Sequence, residues 1–394
     1  MPDIFLHGIE ITQIDDGIRP IQTVKSSIIG VVGTAPTADA TKFPLDTPVL
    51  ITGPRMAALL GLTGTLLDTY NAAYANGVSA MVVVRVQDSA VAATQTAAVL
   101  GSATLGTGIY ALLTAANVTG QKPKILAAPG FTSSAAASPA SPVVAALLTV
   151  AAKLNGIAVV DGPNTNEADA ITVIGKYGSD RLYMIDPAVR VYDETSGLFV
   201  TKPASGFVAG IISYMDVTKG FWWSPSNQIV NGIGATARPI EFGISNPETE
   251  ANRLNAAKVA TIVRENGYRL WGNRTAASDP LWAFLPVRRT ADMVYESIEQ
   301  ALLWAMDRPF SAQLLLDIRD SVQSYLNSLK ARGAILGGKV WLDPELNSEA
   351  NLKAGKLFLD FDIEPPAPLE HLTFRAHREG SYYEELVATV LATQ

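Results

Sequence analysis

The chain has 394 residues, 48% hydrophobic and 17% charged, with a formal net charge of −7 and no cysteine. That length and apolar content suffice for two or three domains with sizeable cores and exclude global disorder. The acidic balance argues against a protein that works by neutralising phosphate backbones, and the missing thiols exclude disulfides, thiolate zinc sites and cysteine nucleophiles.

The N-terminus, MPDIFLHGIEITQIDDG, carries acids where a signal peptide would carry a basic segment, and no apolar run is long enough to span a bilayer. A protein folded in a cytoplasm, without membrane insertion, is expected. Residues 4–11 form a strand-like piece ahead of any helix, followed by a turn at Asp15-Asp16-Gly17. From 26 to about 215 short apolar runs alternate with helical stretches. The runs at 26–32, 80–86, 124–128, 157–161 and 181–186 are continuous rather than alternating, as in strands buried on both faces. Helices are expected at 65–76, 142–154, 166–177 and 204–215. This βαβα order predicts a mostly parallel sheet with flanking helices. The Ala/Thr/Gly-rich segment near 90–120 and the loop 132–141 read as surface insertions.

The character changes near Arg238. Asn246-Pro247 with following acids predicts a helix start, with the helix running to Asn266 and stopping at Gly267. Further helices are expected at 290–306 and 311–332, the latter with Leu315, Ile318, Val322, Leu326 and Leu329 on one stripe. A strand at 339–342 precedes 356–364, where Leu357, Leu359, Phe361 and Ile363 alternate with polar residues. After Pro365-Pro366, residues 372–376 read as a short strand. The apolar tail at 382–391 reads as either a terminal strand or a short packed helix. The whole implies an α/β domain with a mostly parallel sheet followed by an α+β domain, with separate segments at both ends. The divisions fall at 1–22, 23–237, 238–378 and 379–394.

Candidate chemistry is sparse. Gly333–Lys339 satisfies G-x-x-x-x-G-K, but Val340 stands where a metal-binding hydroxyl is needed, and a helix ends there instead of beginning. Gly30-Val-Val-Gly33 lacks the first glycine of a dinucleotide fingerprint, since Ile28 occupies it. Asp161 and Asp186 each end a parallel strand, where ligand sites of such sheets lie, and so define an enzyme alternative. Both precede turn sequences, and no histidine lies between His7 and His371 to support them. Asp360, Asp362 and Glu364 share one strand face and resemble a metal cluster, but the polar side of an amphipathic strand is the simpler reading. The aromatics and arginines from Tyr268 to Arg289 fit a core and protein interface better than nucleic-acid binding. No cofactor and no catalytic group is expected.

Several segments together resemble the contractile phage tail sheath family, in particular the short sheaths of temperate myophages and phage-tail-like bacteriocins. They include Asp16-Gly17-x-Arg19, 28–34 (IIGVVGT), 48–52 (PVLIT) and 267–275 (GYRLWGNRT). Trp304-Ala305-x-Asp307-x-Pro309, 352–357 (LKAGKL) and Pro366-x-Pro368-Leu-Glu complete the match. The resemblance implies a structural subunit of the virion tail, assembled in the host cytoplasm. It implies polymerisation as a helical sleeve around a tail tube, contact with baseplate and terminator proteins, and contraction that drives genome ejection. It also implies terminal arms that add strands to neighbouring copies. Ile4, Phe5, Leu6, Ile9 and Ile11, with Tyr382, Tyr383, Leu386 and Val387, are then the arm residues. Leu357, Leu359, Phe361 and Ile363 would lie on the accepting strand. A charged helix of the C-terminal domain would face the tube, for which Arg319, Lys330 and Arg332 are the candidates.

Overall fold

A computed structural model describes residues 20–78, 80–194 and 196–392. The arm candidates Ile4, Phe5, Leu6, Ile9 and Ile11 lie outside the described residues.

The N-terminal two-thirds alternate strands and helices in chain order. They begin with β1 (Ile29–Thr34), β2 (Pro48–Ile51), α1 (Pro54–Ala57), α2 (Leu66–Ala75) and β3 (Met81–Val86). Then follow α3 (Ala92–Leu100), α4 (Ala115–Thr119), β4 (Ile125–Ala127), α5 (Pro142–Leu154), β5 (Ile157–Asp161), α6 (Glu167–Ile174) and β6 (Leu182–Ile185). After β7 (Val189–Asp193), β8 (Leu198–Lys202), α7 (Ser205–Thr218) and β9 (Ala235–Thr236) come α8 (Glu250–Ala256), β10 (Val259–Arg264) and β11 (Tyr268–Trp271). Eight strands form one sheet in the order β11-β10-β6-β5-β4-β1-β3-β2, parallel except for antiparallel β2 and β11 at its two edges. A small antiparallel sheet, β8-β7-β9, stands beside it.

The continuous apolar runs are explained by burial on both faces. In β5, Ile157 and Val159 join one core while Ala158 and Val160 join the other; β3 divides Met81 and Val83 from Val82 and Val84 in the same way. Helices α2 and α7 cover the first face through Leu66, Tyr70, Val208 and Ile212, and α5 and α6 cover the second through Leu147, Val150 and Val173. Each such fully buried aliphatic side chain contributes about 1.5–3 kcal/mol relative to exposure.

The segment near 90–120 is not a surface insertion. Val99, Ile109, Leu112 and Ala115 are buried in the second core, so the segment packs onto the sheet. The helix expected over 246–266 is also corrected. Helix α8 is capped at Thr249, ends at Ala256, and gives way to β10 through Lys258, whose φ is 69°. The β-branched run in Val259–Arg264 pairs with β6 in the sheet, where burial outweighs the helix-start signal upstream. The change of character at Arg238 therefore does not mark the end of the sheet.

The C-terminal part consists of α9 (Leu285–Ala301), α10 (Ala312–Ala331), β12 (Gly337–Leu342), α11 (Glu349–Lys353), β13 (Leu359–Glu364) and α12 (Tyr382–Leu391). Strands β12 and β13 form a two-stranded antiparallel sheet over a third core of Met293, Val294, Val322, Tyr325, Leu326 and Leu329. Ser311 caps α10 by accepting from the Leu314 amide, and Gly333 follows it at φ 76°. Leu357 falls before β13. No strand forms at 372–376, where the chain is irregular. The tail is a helix, resolving the alternative in favour of α12 rather than a terminal strand. The fold is thus α/β followed by α+β.

Candidate assembly site

The two acids at the sheet's carboxyl edge are committed to structure. Asp161 is buried; its Oδ1 accepts from the Ser205 amide at 2.8 Å and its Oδ2 from the Ser205 hydroxyl at 2.6 Å. Burial pushes its carboxyl up, and the Ser205 hydrogen bonds oppose that. Asp186 is fully buried and accepts from the Asn164 amide and the Arg238 guanidinium, both at 2.7 Å. Burial raises its carboxyl too, against Arg238. These bonds tie the ends of β5 and β6 to α7 and to the segment leading into α8, leaving no open acid–base pair.

The glycine motifs are packing devices. A Cβ at Gly30 would lie 2.7 Å from Pro123 Cβ, and one at Gly33 would lie 2.3 Å from Thr65 Oγ1. Gly333 terminates α10 and Gly337–Leu342 is a strand, the wrong order for a phosphate loop. Among the described residues no group of three or more acids or histidines could hold a metal ion, and no helix is long and apolar enough to cross a membrane.

The structure instead builds a polar clasp on α9. Its Arg288, Asp292 and Glu296 recur at four-residue intervals, and all are buried against the α/β sheet. Arg181 grips Asp292 with both guanidinium nitrogens at 2.6 and 2.8 Å, and Arg288 reaches the same carboxylate at 2.7 Å. Arg288 also lies over the Trp282 ring. Arg289 pairs with the buried carboxylate of Asp216 on α7. Glu296 receives Lys124 and, at 3.1 Å, Lys122. Burial pushes the Glu296 carboxyl up, but the two ammonium groups reverse this and hold it below its ordinary value. Burial lowers Lys124 to about 8, with Glu296 opposing. Two cations on one carboxylate are consistent with both directions. Because each pair would be costly to break in the interior, the clasp fastens α9 to the sheet. The four-residue charge spacing on α9 is the only sequence signal for this clasp; its partners are remote in the chain.

The chain enters the C-terminal part at its N-terminal side. Ile21 and Val24 pack against the third core, the Val24 amide donates to Ser297 Oγ at 3.1 Å, and Thr23 meets the Tyr325 hydroxyl at 3.2 Å. Nearby, β13 is an edge strand. Leu359, Phe361 and Ile363 turn half-buried side chains to the third core, while Asp362 and Glu364 are exposed. Helix α12 buries no residue: Tyr382, Tyr383, Leu386, Val387, Val390 and Leu391 are all exposed along it. The run between β13 and α12 is held by Glu370, which accepts from Arg274 at 2.6 Å. Of the proposed tube-facing residues, Arg319 pairs with its neighbour Asp320, Arg332 stacks over Trp222, and Lys330 is exposed.

Among the described residues, the subunit thus combines an edge strand over an apolar core with a tail helix whose apolar side chains are exposed, the attributes of an assembly protein. Residues 104–276 match the phage tail sheath protein central domain and 277–378 the phage tail sheath C-terminal domain. The chain is 35% identical to a putative prophage major tail sheath protein of Pseudomonas aeruginosa over 97% of its own length and 99% of that protein's. It is 33% identical to the tail sheath protein of Escherichia phage P2, with 98% of each covered. Its fold is similar to the anti-feeding prophage helical sheath in its contracted state, with a TM-score of 0.71 and 18% identity, covering 95% of this chain and all of that one. The chain belongs to the phage tail sheath protein family. It is a structural subunit, not an enzyme.

Proposed function

We propose that this subunit polymerises into a helical sleeve around the tail tube and contracts to drive the tube through the host envelope for genome ejection. Arms joining neighbouring copies hold the sleeve together. The observation that carries the reading is that β13 has β12 as its one strand partner among the described residues, over the same core that Ile21 and Val24 pack against. An edge strand over an apolar core is completed by an added strand, and 4–11 supplies a strand-like, apolar-rich sequence for one. The exposed apolar face of α12 serves as the second contact between copies. The working parts are an arm over 1–22, an α/β domain from 23 through the end of the eight-stranded sheet, a C-terminal domain to 378 and an arm over 379–394. The clasp makes the two domains one lever, so that contraction repositions whole subunits. Tube, baseplate and terminator proteins are the expected partners, and Lys330 and Arg332, at the end of α10, are the strongest tube-facing candidates.

Negative-stain microscopy tests this directly. The full chain should form striated tubes, whereas a variant lacking residues 1–15 should remain a folded monomer. Normal tubes from that truncation would refute arm exchange.

A further inference from the structure

A two-stranded sheet has two edges, and arm addition to the wrong one would give a different lattice. In this protein the β12 edge is already occupied. Gln323, on α10, donates from Nε2 to the Gly338 carbonyl at 3.1 Å and accepts at Oε1 from the Val340 amide at 3.0 Å. Its Nε2 also reaches Asn327 Oδ1 at 3.1 Å, which fixes the direction of the carboxamide. A side-chain carboxamide presents N–H donors beside a carbonyl acceptor; one N–H and the oxygen here fill the place that a neighbouring strand's peptide would take, and the second N–H serves Asn327.

The same bonds establish the phase of the hairpin. Antiparallel pairs alternate between those that exchange hydrogen bonds and those that do not. Because the Val340 amide turns to Gln323, Val340 and Phe361 are a non-bonded pair, and the Phe361 N–H and C=O point away from β12. Leu359 and Ile363 have the same phase, so β13 presents a regular row of backbone donors and acceptors outward. Gly338 is part of the device. A Cβ there would lie 3.0 Å from the Asp362 carbonyl oxygen and 3.1 Å from Leu326 Cδ1, so a larger residue would crowd the strand as it lies against α10.

We propose that Gln323 is an edge plug: it closes β12 to strand addition and restricts the incoming arm of a second copy to the β13 edge. This rests on the arm-exchange reading above and adds to it which edge is used and which residue selects it.

The absence of cysteine makes the test direct. One copy carries a single cysteine scanned over residues 4–11. The other carries either Asp360→Cys on β13 or Lys339→Cys on β12, both on the same face of the hairpin. Directly opposed side chains on adjacent strands come within reach of a disulfide. After mild oxidation of mixed assemblies, intersubunit dimers should form with Asp360→Cys and be at least about tenfold fewer with Lys339→Cys. Adding Gln323→Ala should raise the Lys339→Cys yield. Equal yields at both edges with Gln323 intact, or an unchanged Lys339→Cys yield in a folded Gln323→Ala variant, would overturn the plug and leave arm exchange standing. No cross-link at either edge would overturn arm exchange itself. Should Gln323→Ala fail to fold, the comparison with Gln323 intact still decides.

Discussion

Arg181, just before β6, and Asp292, in the middle of α9, form a two-pronged ion pair at 2.6 and 2.8 Å across the boundary between the α/β and C-terminal parts. The carboxylate is nearly fully buried, and Arg288 shares it. Asp292→Ala would leave the Arg181 guanidinium without its bidentate partner and Arg288 with Asp180 alone, at 3.4 Å. It should cost about 3–5 kcal/mol, read from urea unfolding, with the single transition of the native protein separating into two as the domains uncouple. An unchanged midpoint would show that apolar contacts alone join them.

Glu296 gives the clasp a pH dependence of known sign. Its folded value lies below the ordinary 4.5, so its contribution is complete above that value and is lost as pH falls through the folded value. The stability difference between the native protein and Glu296→Gln should be about 2 kcal/mol near neutrality and shrink below pH 4.5. Lys124 acts in the alkaline range. Lowered to about 8 from 10.5, it binds fewer protons folded than unfolded between those values, so its term makes stability rise with pH there. Lys124→Met should remove that slope in thermal melts across the interval.

Asp161 separates the structural reading from the enzymatic one. Asn can still accept from the Ser205 amide while its NH2 donates to the hydroxyls of Ser205 or Thr132, and it avoids burying a charge. Asp161→Asn should stay within about 1 kcal/mol of the native protein, whereas Asp161→Ala, leaving the Ser205 amide unmet, should cost about 1–3 kcal/mol. Tubes should still form from the Asn variant; their loss would point to a role for the carboxylate beyond holding α7.

Arg274 and Glu370 tether the run that leads to α12, with Arg274 lying over the Phe284 ring. Arg274→Ala should free that run without a measurable change in the melting of the globule. Limited trypsin digestion should then cut at Arg375 and Arg378 faster than in the native chain. Equal cutting rates would show that the tether does not order the tail.

Lys330 and Arg332 should matter for tube binding and little for stability. A double reversal, Lys330→Glu with Arg332→Glu, should reduce co-sedimentation with tail tubes about tenfold while sleeves still assemble. The loss of the Arg332 stack on Trp222 accounts for at most about 1 kcal/mol of stability. Undiminished co-sedimentation would move the tube contact elsewhere.

Much of the α/β fold is legible locally. Pro142–Leu154 and Ile157–Asp161 have in the structure the limits that their residues suggest, because a Ser-Pro start and an apolar run buried on both faces are local features. So is the α10 stripe that ends in Leu326 and Leu329. Family resemblance, spread along the chain, was also present in the residues themselves. Where the local signals failed, longer-range contacts had decided. The run at 259–264 became a strand because β6 offered it a partner, and the segment near 90–120 joined the core through Val99, Ile109 and Leu112 because a sheet face lay beneath it.

The assembly features lay furthest from the sequence. Nothing near Asp292 announces Arg181, nothing near Glu296 announces Lys124, and Gln323 is an ordinary polar residue on a helix until β12 folds against it. Composition and periodicity determined which segments are apolar, that the strands near 29–34, 81–86, 125–127, 157–161 and 182–185 form a parallel sheet, and that the chain has no thiol chemistry to offer. The tertiary structure alone decided which charges meet in the interior and which strand edge Gln323 covers. Those outcomes depend on the distance between groups that are remote in the chain, and on the free energy of burying them together.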